Sequence, residues 1–201
     1  MLPFSLEFAS TMAAGPFNPH IITPQWLMKN EVCAAGSGRA KFMPFDPSQG
    51  QAFEFGDGMQ WQIDYRRLVV ISRDENCGQL VAKVIKLLQH TPVRSVAHSF
   101  NYSVIPVNQR KSAPSLSIFD PEHKRQITEI VGKVEQLRWT CVLNIDGAVV
   151  EVTIADQPEL SVALFSFYRD TESDPVKAVM ASERFAEDKK ESESLLNRLF
   201  A

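Results

Sequence analysis

At 201 residues the chain is long enough to bury a core without disulfide or metal staples, and its 44% hydrophobic and 22% charged content lies well outside the disordered range. No apolar run approaches the ~20 residues that span a bilayer, and Glu7 interrupts the apolar N-terminal stretch that a secretory leader would need. The formal charge of −3 hides a gradient, with residues 1–60 at −2, 61–140 at +5 and 141–201 at −6.

The first element is "LPFSLEFAS", where Leu2, Phe4, Leu6 and Phe8 alternate with small or polar residues, the period-2 mark of a half-buried strand. Thr23 then caps a short helix whose first residue, Pro24, has no N–H to leave orphaned. The same device recurs at Asp120-Pro121 and Asp174-Pro175. From Val32 to Ser48 the chain is rich in Gly, Ala, Ser and Pro and reads as a loop with a short strand in it.

"QAFEFGDGMQWQID" is a hairpin, with Phe53 and Phe55 before an Asp57-Gly58 turn and Met59, Trp61 and Ile63 after it. A reversal at Tyr65-Arg66-Arg67 returns "LVVIS", apolar on both faces and therefore an interior strand. "ENCGQLVAKVIKLLQH" predicts a helix with Leu80, Val81, Val84, Leu87 and Leu88 on its buried face. In "VRSVAHSFNYSVI" a long strand presents Val96, His98, Phe100, Tyr102 and Val104 on one side and only small or polar residues on the other.

The loop 106–119 is the best internal boundary, dividing 1–105 from 120–201 within what reads as a single domain. Beyond it, Ile127, Ile130, Val131, Val134 and Leu137 form a helical stripe. "RWTCVLNIDGAVVEVTIADQPELSVALFSFYRD" predicts a three-stranded meander turning at Asp146-Gly147 and near Gln157-Pro158. Residues Pro175–Phe200 are helical, with a break near Phe185-Ala186. Hairpin-joined strands with few helices argue an α+β fold, mainly antiparallel sheet with covering helices and room for two similar halves.

Chemistry is harder to place. "GSGRAK" is neither a Walker loop nor GxGxxG, yet Gly36 and Gly38 can shape an anion nest beside Arg39 and Lys41. Cys33 has no base within a recognisable motif, and His98, on an apolar strand face, reads as a hydrogen-bonded core histidine. Cys33, Cys77 and Cys141 lie far apart and match no metal or disulfide spacing, so no metal or other cofactor is expected and reduced thiols in a cytoplasm fit best. Asp64, Asp146 and Asp170 stand at strand ends, where turn chemistry accounts for an aspartate more readily than catalysis does.

Three function classes follow. The leading expectation is a non-catalytic interaction module, a homodimer or a subunit of a larger assembly, with no membrane attachment. Its basic middle can meet its acidic last third across a symmetric contact, and the helix end "LLNRLF" can either dock on the core or face a partner. The second is a nucleic-acid binder using the basic segment 61–140, with Arg66, Arg67, Arg110 and Lys111 on one face and Trp61, Tyr65, Phe100 and Tyr102 as candidate stacking rings. The third is a small-molecule or anion binder built on the Gly36–Lys41 loop.

Overall fold

The computed structural model describes residues 4–33, 39–44, 46, 50–56, 58–73, 76–104, 137–156 and 161–199. Their strands are β1 (Phe4–Ala14), β2 (Lys41–Phe42), β3 (Gln51–Glu54), β4 (Gln60–Ile63), β5 (Arg67–Ser72), β6 (Ser95–Val104), β7 (Leu137–Ile145), β8 (Ala148–Asp156) and β9 (Ser161–Asp170). Helices are α1 (Pro24–Lys29), α2 (Cys77–Leu87), α3 (Pro175–Glu183) and α4 (Phe185–Leu199). Among the described residues no helix is long and apolar enough to cross a membrane.

All the strands join one antiparallel sheet in the order β2-β3-β4-β5-β1-β6-β9-β8-β7, and the fold is α+β as its sequence implies. The connectivity repeats. A long strand (β1, then β6) is followed by a meander ending beside it (β3-β4-β5, then β7-β8-β9) and by a helix (α2, then α3). β1 and β6 pair with each other, so the sheet runs unbroken from one half to the other. The boundary proposed in 106–119 and the helical stripe Ile127, Ile130, Val131 and Val134 lie outside the described residues, while Leu137, expected to end that stripe, instead opens β7.

One face of this sheet carries the core. Phe53, Trp61, Val70, Thr11, His98, Phe165, Phe167 and Val150 all point to the helix side and are 1% exposed or less. Each large apolar side chain buried this completely contributes roughly 2 kcal/mol. α2 packs on β1 and β5, α3 on β6, and α4 on β6 and β9.

Capping follows the sequence closely. Thr23 Oγ1 accepts from the Trp26 N–H at 3.2 Å and Asp174 Oδ1 from the Val176 N–H at 2.8 Å, each with proline at the first helical position. Asn76 does the same for α2 through the Gln79 N–H at 3.0 Å. The C-terminal helical run breaks at Arg184, as its residues suggest.

Two details differ from the sequence reading. β1 does not keep Phe8 on the same face as Phe4 and Leu6, because a bulge shifts the pairing from Leu6↔Tyr102 to Phe8↔Asn101. A one-residue shift turns a side chain to the opposite face, and Phe8 is 39% exposed. In α2 the buried stripe is Cys77, Gly78, Val81, Ala82, Val84 and Ile85, leaving Leu87 45% exposed. The helix is rotated toward its small residues because α3 crosses there.

Gly78 sets that crossing. A Cβ at this position would stand 2.2 Å from the Ser182 carbonyl oxygen and 2.5 Å from Phe185 Cβ. Gly78→Ala is therefore expected to push α2 off the α3–α4 junction and lower stability by about 1–3 kcal/mol. Urea unfolding is the measurement, and an unchanged midpoint would refute the close approach.

Candidate functional site

The anion-loop and nucleic-acid residues are placed as follows. Gly36, Gly38, Arg110 and Lys111 lie outside the described residues. Arg39 is exposed, and Lys41 is exposed on the edge strand β2 opposite Glu54. Arg66 lies in the β4–β5 turn and Arg67 is the first residue of β5. Asp64 Oδ1 accepts both of their backbone N–H groups at 2.7 and 2.9 Å, and Arg67 Nε donates to Asp64 Oδ2 at 3.1 Å.

Of the candidate stacking rings only Tyr65 is exposed, at 51%; Trp61, Phe100 and Tyr102 are fully buried and present no face to a base. Tyr102 is held by a 2.7 Å bond between its hydroxyl and Ser192 Oγ, and burial pushes its phenol well above the usual range. The strand-end aspartates serve turns. Asp64 caps as above, Asp170 Oδ1 accepts from the Glu172 N–H at 2.8 Å, and Asp146 adopts φ 47° ahead of Gly147.

Cys33 and Cys77 are buried thiols, and partial burial pushes the half-exposed Cys141 thiol up, away from the thiolate a nucleophile needs. Among the described residues no three His, Cys, Asp or Glu side chains converge as metal ligands would.

The strongest polar constellation lies between sheet and helices, and spacing in the sequence could not assemble it. His98 and Thr11 stand opposite each other in the β1–β6 ladder. His98 Nε2 lies 2.9 Å from the Ala181 carbonyl oxygen, an acceptor only, so Nε2 carries the proton. Nδ1 then accepts from the Thr11 hydroxyl at 2.9 Å. The ring lies edge-on to Phe185, with centroids 5.4 Å apart.

Beside it Arg169 donates to both Asp188 oxygens, at 2.5 and 2.7 Å, and Asp188 Oδ2 lies 3.9 Å from His98 Nε2. β9 supplies Arg169 and α4 supplies Asp188, so this pair ties the last helix to the sheet.

A cleft of about 320 Å³ opens beyond the pair, walled by Asp146, Arg169, Arg184, Glu187, Lys190 and Glu191 among others. Its wall carries both cations and carboxylates. Arg184 Nη2 reaches Asp146 Oδ2 at 3.6 Å, and the Nε atoms of Arg169 and Arg184 are sealed from solvent without a hydrogen-bond partner. The wall has no surplus of positive charge to concentrate an anion, and the sealed Nε donors cannot be reached by a solute entering the cleft.

Exposed apolar side chains gather elsewhere, on the strands at one end of the sheet. Val142 on β7 is 63% exposed, Val149 on β8 47% and Tyr168 on β9 40%, whereas Leu143, 36% exposed, points to the opposite face with its partner Val150. Val149 pairs with Tyr168 and with Asn144, and Val142 stands two residues from Asn144 on the same face, so the three strands bring Val142, Val149 and Tyr168 onto one side of the sheet. The C-terminal apolar turn is not part of such a surface, because Leu195 and Leu196 are buried on the chain's own core. No protein-family model matches this sequence, and no curated protein matches it either.

Two outcomes test the polar constellation. Burial lowers the His98 pKa to about 4 from its ordinary 6.5, with Arg169 acting in the same direction and the Ala181 bond, Asp188 and Glu187 opposing. A depressed folded value means the unfolded chain takes the proton first. Stability is therefore complete above about pH 6.5 and falls by up to ~3 kcal/mol as pH drops through about 4. Urea unfolding from pH 7.5 to 4 should show this slope, and His98→Gln should flatten it; equal slopes would refute the assignment. Asp188→Ala leaves the Arg169 charge buried and unpaired and should cost about 3–5 kcal/mol. A loss below 1 kcal/mol in the same measurement would show that solvent reaches the guanidinium.

Proposed function

We propose that the protein works by binding rather than by chemistry, as a homodimer or as a subunit of a multi-protein assembly in the cytoplasm. The observation that carries this reading is the exposed apolar surface formed by Val142, Val149 and Tyr168 on one face of the last three strands of the sheet. Apolar side chains gathered in one exposed place, away from the core, are the usual mark of a surface that another protein covers. Cys33, Cys77 and Cys141, present as thiols, suit a reducing compartment.

The buried polar groups support the same conclusion from the other side. His98 and Asp188 are, among the buried described residues, suited by type to acid–base work, and their hydrogen bonds are spent on Thr11, Ala181 and Arg169. They hold helices to a sheet.

Multi-angle light scattering over a micromolar concentration series tests the proposal. The expected mass is twice the 22.6 kDa of the chain, or a larger value with a partner that co-purifies. A monomer at every concentration, recovered without a partner, would overturn it.

A further inference from the structure

Resting on the reading that the protein self-associates, the geometry points to β7 as the seat of that association, pairing edge to edge with β7 of a second copy about a two-fold axis through Val142. Among the described residues the two edges of the sheet differ sharply. β2 is two residues long, whereas β7 runs nine residues in unbroken register with β8 and has no proline or glycine. Its only charged residue is Arg138. Sheets usually blunt their edges with short strands, bulges or lysines. β7 carries none of these devices, and Val142, one residue past its midpoint, is the most exposed of the described strand valines.

Backbone direction fixes which groups are available. The β7–β8 hairpin closes through Asp146-Gly147, with φ of 47° and 74°, the mark of a two-residue turn. Such a turn makes Ile145 and Ala148 the hydrogen-bonded closing pair, so Leu143, Cys141 and Trp139 also aim their N–H and C=O at β8. Arg138, Thr140, Val142 and Asn144 therefore aim theirs outward.

Two-fold antiparallel pairing of this row with itself, centred on Val142, sets Val142 against Val142 and Thr140 against Asn144. On the other face it sets Cys141 against Leu143 and Trp139 against Ile145. At each end Arg138 falls opposite the turn holding Asp146, whose side chain is 77% exposed. Apolar meets apolar, hydroxyl meets amide and cation meets carboxylate. The next permitted register, centred on Cys141, sets Thr140 against Val142 and leaves the Asp146 carboxylates beyond the ladder. Self-complementarity of this kind is what a two-fold contact requires and what an unrelated strand would lack.

The test uses three variants of the full chain, read by light scattering and by circular dichroism. Val142→Pro removes an outward N–H and leaves the β8 ladder intact. Val142→Lys places two like charges together on the axis. Both are expected to raise the dimer dissociation constant at least tenfold without changing the spectrum. Val142→Cys in a Cys141→Ser background is expected to form an intermolecular disulfide on mild oxidation.

A wild-type dimer that persists in both Val142→Pro and Val142→Lys would overturn the edge contact while leaving self-association standing, and would direct attention to the exposed Val176 and Met180 of α3. A dimer in which Val142→Cys fails to cross-link would overturn the register even if the first two variants unfold. A monomeric wild type would remove the self-association reading and this inference with it.

Discussion

Ten paired positions between β1 and β6 hold two otherwise separate meanders in one sheet, and the arrangement above them depends on that ladder. β5 attaches to the outer side of β1 and β9 to the outer side of β6, so each meander hangs from its own central strand. The helices that follow the two meanders, α2 and α3, then meet over the ladder, where Gly78 allows the backbone of one to approach the other. Thr11 and His98 sit opposite each other within the ladder, and His98 reaches up to the α3 carbonyl of Ala181. One imidazole thus bridges both central strands and the helix layer.

That bridge explains why polar groups are tolerated in the driest part of the molecule. A buried carboxylate is costly unless its charge is matched and its oxygens are satisfied. Asp188 meets both conditions through the two-pronged contact with Arg169. The pair also has a directional role that a patch of leucines could not supply: it fixes the rotation of α4 just after the chain breaks at Arg184. Neutral His98, beside it, gives its only ring proton to a carbonyl and accepts one from a hydroxyl, so both ring nitrogens are satisfied within the protein.

Much of this architecture was legible in the residues because local chemistry decides it. Thr23-Pro24 and Asp174-Pro175 announce helix starts through the missing proline N–H, Asp146-Gly147 announces a hairpin, and the alternation of Val96, His98, Phe100 and Tyr102 announces a core-facing strand. The bulge that turns Phe8 outward left no such mark, since both faces of β1 there offer plausible residues. The α2 stripe departs from the apolar pattern for a related reason: Leu87 is the more apolar residue, but Gly78 and Ala82 are the ones that let a neighbouring helix near.

Long-range placement was least readable. Nothing in "RWTCVLNI" says that it ends a sheet rather than standing inside one, and that position is what makes its side chains available. Nor could spacing along the chain bring together Arg169, Asp188 and His98, which come from three different elements. The aromatic residues interleaved with arginines in 61–140 resembled a stacking platform only until burial separated them, with Trp61, Phe100 and Tyr102 in the core and Arg66 and Arg67 at the β4–β5 turn and the start of β5.

The central place of β1 also bears on how the molecule is made. During synthesis this strand emerges before β5 and well before β6, so both of its edges are open while the ribosome adds the residues that will flank it. Pairings between positions as far apart in the chain as Thr11 and His98 close late and slowly, because the intervening loop must be ordered before any contact rewards it. A nascent strand in that condition is exposed to premature pairing with its neighbours on a polysome. In the described pairings the first residues of β1 are laddered to β6 and not to β5, so the stretch holding Phe4 and Phe8 stays without a strand partner until β6 has been translated.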